Sequence, residues 1–498
     1  MNLDAVEILL TSLTLVLFVM AAAASVPIVS NAFQLLVVPF HAVRNHYPAA
    51  RPYAPRVAVI LPAWNEGMVV GLSIDRLMAL EYPEDRLRVY VVDDASTDDT
   101  PDVVLAKARD YPGRVVHLRR HVGGEGKAHT LNHGITKVLA DDWMEATLIM
   151  DADVIFVPDS LRKMTRHLAD QNVGSVTAYI REGSADKTYL TRFIGFEYVL
   201  AQLASRRTQN VLGALACLAG GAQLHSRENL EALGGRIDTT TLAEDTVTTI
   251  ETQLGGRRAV FEPHAIVLAE EPMKIAALWK QRERWARGNF QVTARYRHVW
   301  FHPKRHRQLG SFSFGVQWFS VLLLPLAMVV APVAFIGLYL LDDSLANLAF
   351  RGMWIGATCV YVFAVVLGLQ LDPGIARVSW REAILFPGII SVLVMAAAVF
   401  PGYLAEDVPA MFGQRITEEG RAVIAIAVYL WISMSMVFAW LIKEIEHTKV
   451  GRRISPLMLY FVGYGPLLCA VVVDAFFREL RHAEAKWVKT EKVGRVVG

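Results

Sequence analysis

Apolar positions fall into three regimes along the chain. An uncharged run from Ile8 to Phe40 opens it, a mixed polar stretch occupies about 51–307, and long apolar runs return near Phe312–Leu341, Gly352–Leu371, Ile384–Leu404, Ala422–Ile442 and Leu457–Phe477. Runs of this length match the ~20 apolar residues needed to cross a bilayer. The first charges, Asp4 and Glu7, are acidic, and the run behind them is longer than the core of a cleaved signal peptide. A retained, multi-pass membrane protein is expected. Its layout is a membrane segment over 1–45, a globular domain over 46–270, interfacial helices over 271–310, a helix bundle over 311–477 and a basic tail over 478–498.

The middle stretch changes period. "VAVILP" (57–62), "VYVV" (89–92), "VVHL" (115–118), "TLIM" (147–150) and "SVTA" (175–178) read as buried strands, and 68–80, 100–110, 127–140 and 159–170 carry helical patterns between them. Strands alternating with helices predict βαβ units and a parallel α/β sheet. Ligands of such sheets bind beyond the carboxyl ends of the strands. Those ends are acidic here: Asp93 and Asp94 follow the second strand, Asp151 and Asp153 the fourth, and Asn65 and Glu66 the first. Residues i and i+2 of an extended segment face the same way, so Asp151 and Asp153 suit one hard cation, Mg²⁺ or Mn²⁺, completed by phosphate and water. "GGEGKAHTLNHG" (123–134) puts glycines before Lys127 at a helix start, where backbone N–H groups favour phosphate. Ala128 stands where a Walker A loop needs Ser or Thr, which removes the main support for an ATPase.

Charge refines the topology. Arg44, Arg51 and Arg56 follow the first run, placing the middle domain in the cytoplasm by the positive-inside rule, at the plasma (inner) membrane. Asp342 and Asp343 then lie outside, and Arg377, Arg381, Lys449, Arg452 and Arg453 inside. Five further crossings would leave the basic tail outside, so one segment is re-entrant or interfacial, or the first run crosses twice. A formal net charge of +2 says little globally, because Lys and Arg cluster locally; no nucleic-acid partner is expected, and the three cysteines, Cys217, Cys359 and Cys469, suggest neither disulfides nor a thiolate metal site.

The motifs resemble the family 2 glycosyltransferases, in particular the membrane synthases of cellulose, hyaluronan, chitin and poly-N-acetylglucosamine. "PAWNE", "VVDDASTDDT", "GKAHTLN", "DAD", "LAED" (242–245) and "QRERW" (281–285) appear in that family's order, with Trp64 for Tyr and Ala243 for Thr. The resemblance implies a GT-A catalytic domain between membrane helices, a UDP-sugar donor (UDP-GlcNAc or UDP-Glc) and a polysaccharide or glycolipid acceptor. It also leaves room for a small accessory subunit. It implies nucleotide-sugar contacts from Asn65, Glu66, Asp93, Asp94, Lys127 and Asp151, metal binding by Asp151 and Asp153, and a general base at Asp245. Glu244, Gln281, Arg282, Arg284 and Trp285 would serve the acceptor and the diphosphate. Ile275, Leu278, Trp279, Arg282, Trp285 and Phe290 recur at helical spacing among basic residues, a pattern for a helix at the membrane surface. Expected is inverting transfer to a growing β-linked polymer with translocation across the membrane. The alternatives are single transfer to a lipid and an inactive scaffold, the last disfavoured by the intact acidic set.

Overall fold

The structure, a computed structural model, describes residues 3–44, 51–402, 407–411, 413, 416–483 and 496. The chain divides into two compact units, one of Met1–Leu36 with Val316–Arg478 and one of Val37–Gly315 with Glu479–Gly498.

The second unit is built on an eight-stranded sheet. Its strands are β1 (Val57–Ala63), β2 (Leu87–Asp93), β3 (Val115–Arg119), β4 (Ala146–Ile149), β5 (Val154–Phe156), β6 (Val173–Glu182), β7 (Gln223–Ser226) and β8 (Arg258–Ala269), in the order β3-β2-β1-β4-β7-β6-β8-β5. The expected parallel arrangement holds for β3-β2-β1-β4 and again for β6 beside β8. It fails at β7, antiparallel to both β4 and β6, and at β5, antiparallel to β8. Connection length explains β5. Only residues 150–153 separate it from β4, far short of the dozen or more that a parallel crossover needs, so the chain turns away to the far edge. The sheet is therefore mixed.

Helices fall where the periodicity places them, over Gly67–Met78, Thr100–Asp110 and Lys127–Leu139, with Ser160–Thr165 continuing as a 3-10 turn to Ala169. The helix Lys127–Leu139 presses Leu131, Ile135 and Val138 against Ile60, Val92 and Ile149, all fully or nearly fully buried. Each such side chain contributes about 1.5–3 kcal/mol by leaving water. That packing fixes the first residue of the helix, Lys127, beyond the carboxyl ends of β1 and β4. A second scaffold is the helical run Tyr189–Leu212, which starts on a Thr188/Thr191 capping box and is interrupted by a π-helical turn over Val199–Ala204. Such turns recur at functional sites because the inserted residue re-aims the side chains around it.

In the first unit, Leu324–Leu341, Asp343–Leu371 and Glu418–Ile445 are helices long and apolar enough to span a membrane; the N-terminal stretch Val6–Val43, most of it in this unit, is another. The chain is thus a membrane protein by these segments. Phe335, Phe350, Trp354 and Tyr429 centre the unit's apolar core with Leu17 and Ala21. Two of the expected segments are broken. Pro373–Ile384 and Ile389–Val399 meet at 72°, and Gly451–Val462 and Tyr464–Leu480 at 101°. Gly388 (φ +88°) and Gly463 (φ +104°) sit at the breaks in left-handed conformations, each backbone against the other's segment. The N–H groups of Tyr464 and Gly465 donate to the Phe386 carbonyl at 2.9 and 3.2 Å, replacing bonds the helix lost.

Candidate active site

The carboxyl ends of β1 and β2 are organised by their own polar residues. Asn65 takes a positive φ of 54°, and its carboxamide oxygen accepts from Thr97 N–H at 2.8 Å, shaping the turn after β2. Glu66 starts the next helix, its N–H donating to Thr100 at 2.8 Å. Asp93 is fully buried, accepting from Ser96 N–H at 2.8 Å with Arg119 at 3.1 Å and His117 at 3.4 Å beside its other oxygen. Asp94 accepts from Gly124 N–H at 2.9 Å and pairs with Arg120, which also holds Glu125. Asp93 thus ties the sheet together, and Asp94 anchors the glycine turn that leads to Lys127.

Lys127 is the hub. Its Nζ lies 2.5 Å from Asp151, 3.8 Å from Glu244 and 3.2 Å from the Gly220 carbonyl. Burial works against the ammonium, but Asp151 and then Glu244 outweigh it, and its pKa is raised. Glu244 is also raised, first by burial and then by the like charge of Asp245, with Lys127 and Arg284 pulling the other way. Asp245 sits in the first turn of the helix Glu244–Leu254, where the dipole favours a carboxylate, and accepts from Thr246 N–H at 2.7 Å. Lys127, Asp151 and Asp245 meet over Gly220–Gly221, with Glu244 reaching the group through Lys127. A β-carbon on Gly220 would lie 3.1 Å from Asp245 Oδ2 and 3.5 Å from Lys127 Nζ, and one on Gly221 would lie 3.3 Å from Asp151 Oδ2. Only glycine leaves this floor open. Thr249 and Gln253 hold the floor in place by bonding Leu218 and Leu215 at 2.8 and 2.9 Å.

The "QRERW" residues lie on the helix Ile275–Arg295. Of the stripe expected at a membrane surface, Ile275, Leu278, Trp279 and Arg282 are buried, Phe290 is half-buried and Trp285 is exposed. Arg282 forms a bidentate pair with Glu197 at 3.1 and 2.9 Å, bonds Gln281 at 2.6 Å and lies 4.0 Å over the ring of Trp285. Gln281 also reaches Glu271 at 3.4 Å, and Glu271 accepts from Tyr198 at 2.7 Å. Burial, then Glu271, pushes the Tyr198 phenol well up. Trp285 is left 36% exposed, with one face backed by Arg282. Gly288 packs on Ala243 and Gln291 bonds Leu242 N–H at 2.9 Å, so this helix positions the "LAED" turn.

The structure therefore brings together Lys127, Asp151, Glu244 and Asp245. Asp153 lines a small cavity with Val69, Ser73, Ile155, Glu270 and Val496. Among the described residues no cluster of three or more His, Cys, Asp or Glu is arranged to hold a metal. The donor set at Lys127 is nonetheless all oxygen and already holds an ammonium, so it fits a hard cation whose other ligands are phosphate oxygens. Sequence reading missed Gly220–Gly221 and Glu197; the double glycine of "AGGA" was the available signal.

Two acidic strand ends, a lysine at a helix start and a carboxylate over a glycine floor, on a mixed sheet of this order, define the class of GT-A nucleotide-sugar transferases. The model of the "Glycosyltransferase like family 2" matches residues 55–288. "Probable glycosyltransferase YdaM" of Bacillus subtilis (strain 168) is 30% identical over 327 residues, 64% of this chain and 75% of that one. The chain belongs to glycosyltransferase family 2 and is a hexosyltransferase. The "Beta-monoglucosyldiacylglycerol synthase" of Synechocystis sp. (strain ATCC 27184 / PCC 6803 / Kazusa) is 33% identical over 253 residues, 50% of each chain. A "Poly-beta-1,6-N-acetyl-D-glucosamine synthase" of Staphylococcus epidermidis is 27% identical over 240 residues, 48% of this chain and 56% of that one. The chain thus spans only about half of these last two relatives. Among solved structures, the mannosyltransferase PcManGT from Pyrobaculum calidifontis, solved with GDP-Man and Mn²⁺, aligns at TM-score 0.51 and 24% identity over 71% of this chain and 99% of that one, a likeness of fold.

Proposed function

We propose that the protein transfers a hexose from a UDP-sugar to a hydroxyl of a growing β-linked polysaccharide, with inversion, at the Gly220–Gly221 floor. The convergence of Lys127, Asp151, Glu244 and Asp245 on that floor carries the reading. Asn65, Glu66 and Asp94, at the ends of β1 and β2, bind the nucleotide. Lys127 and Arg284 hold the diphosphate, with Lys127 leaving Asp151 for phosphate oxygens as the donor enters. Asp151 would hold a divalent cation that neutralises charge on the departing diphosphate, and Asp153, which lines the small cavity beside Glu270, would join it only by turning toward Asp151. Asp245 accepts the proton of the attacking acceptor hydroxyl, a task that needs a carboxylate within hydrogen-bond reach. One base and one displacement give inversion, without the carboxylate pair of a glycoside hydrolase. Trp285 offers an indole face to the acceptor sugar, and Glu197 and Arg282 keep that face in place.

Arg44, Arg51 and Arg56 behind the first apolar run support a cytoplasmic catalytic domain. Each bent helix pair would be either a broken span or a re-entrant loop.

A second reading, transfer of one sugar to a lipid, is favoured by the 33% identity to a monoglucosyldiacylglycerol synthase. A screen of UDP-sugars with Mg²⁺ or Mn²⁺ on purified protein in nanodiscs tests both, following UDP release and sizing the product. Long product supports polymer extension, a single-sugar lipid moves the assignment to the second reading, and no release from any UDP-sugar removes both.

A further inference from the structure

From Tyr296 to Leu341 the chain contains no aspartate or glutamate, yet Arg297, Lys304, Arg305 and Arg307 crowd its first part. All four are exposed, and among the described residues none has an ion-pair partner. They are not carried on a loose loop. Val299, Trp300 and Leu309 are buried beneath them. Trp300 stacks on Phe314 at 6.0 Å and donates through Nε1 to the Thr293 carbonyl at 2.9 Å. His306 has both ring nitrogens engaged, Nδ1 accepting from Leu309 N–H at 3.0 Å and Nε2 facing the Gln253 carbonyl at 3.0 Å, so it belongs to the framework. Phe301 takes a φ of +60°, a conformation unfavourable for an aromatic residue. Gly315 accepts the resulting close approach, since a β-carbon there would come within 2.5 Å of the Phe301 ring. Phe301 and its neighbour Phe312, 6.0 Å away, remain 43% and 77% exposed. A strained backbone is thus held so that aromatic rings stay in solvent beside uncompensated cations.

We propose that this turn, residues 297–312, is a binding surface for anionic phospholipid headgroups. Cations without acidic neighbours are attracted to the anionic leaflet, and exposed aromatic rings settle at the boundary between headgroups and acyl chains. The chain itself sets the distance. Arg307 is five residues from Phe312, where an apolar helix begins, so it stays within about 18 Å of that helix start at full extension, and Arg305 and Lys304 within about 30 Å. A nucleic acid would use the charges but would leave Phe301 and Phe312 beside the apolar helix unexplained. This inference does not depend on the transferase reading.

The test is lipid retention by the full-length protein in mixed micelles of phosphatidylglycerol and phosphatidylcholine, with bound lipids counted by mass spectrometry after detergent exchange. The wild type retains phosphatidylglycerol preferentially. Changing Arg297, Lys304, Arg305 and Arg307 together to Gln lowers that preference at least about tenfold, since each such charge near an anionic surface contributes about fivefold. Exchanging Lys304→Arg and Arg305→Lys preserves it. Without any mutation, the wild-type preference also falls as salt shortens the screening length from about 10 to about 3 Å. The proposal is overturned by a wild type that does not distinguish the two lipids, by a Gln variant that keeps the preference, by indifference to salt, or by an RNA oligonucleotide that displaces phosphatidylglycerol at equal charge.

Discussion

Replacing Glu197 by Gln tests whether Arg282 works on the ligand or on the protein. The pair is buried, with side chains 6% and 12% exposed, and bidentate at 3.1 and 2.9 Å. Removing one partner of a buried pair costs about 3–5 kcal/mol because the other charge stays desolvated. Here Gln keeps one acceptor, and Arg282 keeps Gln281 at 2.6 Å and the Trp285 ring at 4.0 Å. The loss expected is therefore about 2–3 kcal/mol, below the full range. For a catalytic unit of this size that lowers the melting temperature by about 5–10 °C. The double variant Glu197→Leu with Arg282→Met should lose less than Glu197→Gln alone, since it leaves no orphaned charge. Kinetically, Trp285 loses its backing, so KM for the acceptor rises while KM for the UDP-sugar holds. Melting of Glu197→Gln within about 1 °C of wild type, or a rise in donor KM alone, would refute the assignment of Arg282 to positioning.

Other changes probe other parts of the account. Gly220→Val pushes a side chain between Asp245 and Lys127, so kcat should fall about 100-fold and UDP should bind more weakly, read by initial rates and UDP titration. Gly388→Ala places a β-carbon 2.5 Å from the Val462 carbonyl carbon at a φ of +88° and should lower the melting temperature by several degrees, whereas Gly402→Ala, with open space around it, should not. Glu244 is held above its ordinary 4.5 by burial and by Asp245, so the folded state binds the extra proton and stability falls as pH rises through the window above 4.5. Glu244→Gln should flatten that fall and melt higher at neutral pH, as thermal scans across pH would show.

Much of the fold was legible because its signals are local. Five strands and four helices of the catalytic domain follow period and β-branched content, and Lys127 lies at a helix start as the glycines before it required. What escaped were features set by tertiary pairing. β7, "QLHS", is polar yet buried, and His225 bonds both Gln223 and Asn229, which no alternation reveals. The apolar stripe of Ile275–Arg295 reads equally as a membrane face or a packed face, and only contacts such as Glu197 with Arg282 distinguish them. Uncharged runs do not announce a break. Gly388 and Gly463 mark bends of 72° and 101° that became visible only when their backbones met. The site was legible through its acidic and basic residues, whereas the floor that joins them, Gly220–Gly221, has no side chain to notice.

The central claim, inverting transfer with Asp245 as the base, is tested most directly by the product's anomeric configuration. Wild type and Asp245→Asn would be given the α-linked donor chosen by the screen, with the new linkage read by NMR and the rate by UDP release. A β-linkage from the wild type and a rate about 1,000-fold lower from the variant are expected. An α-linkage, or a variant that transfers at the wild-type rate, would contradict the claim.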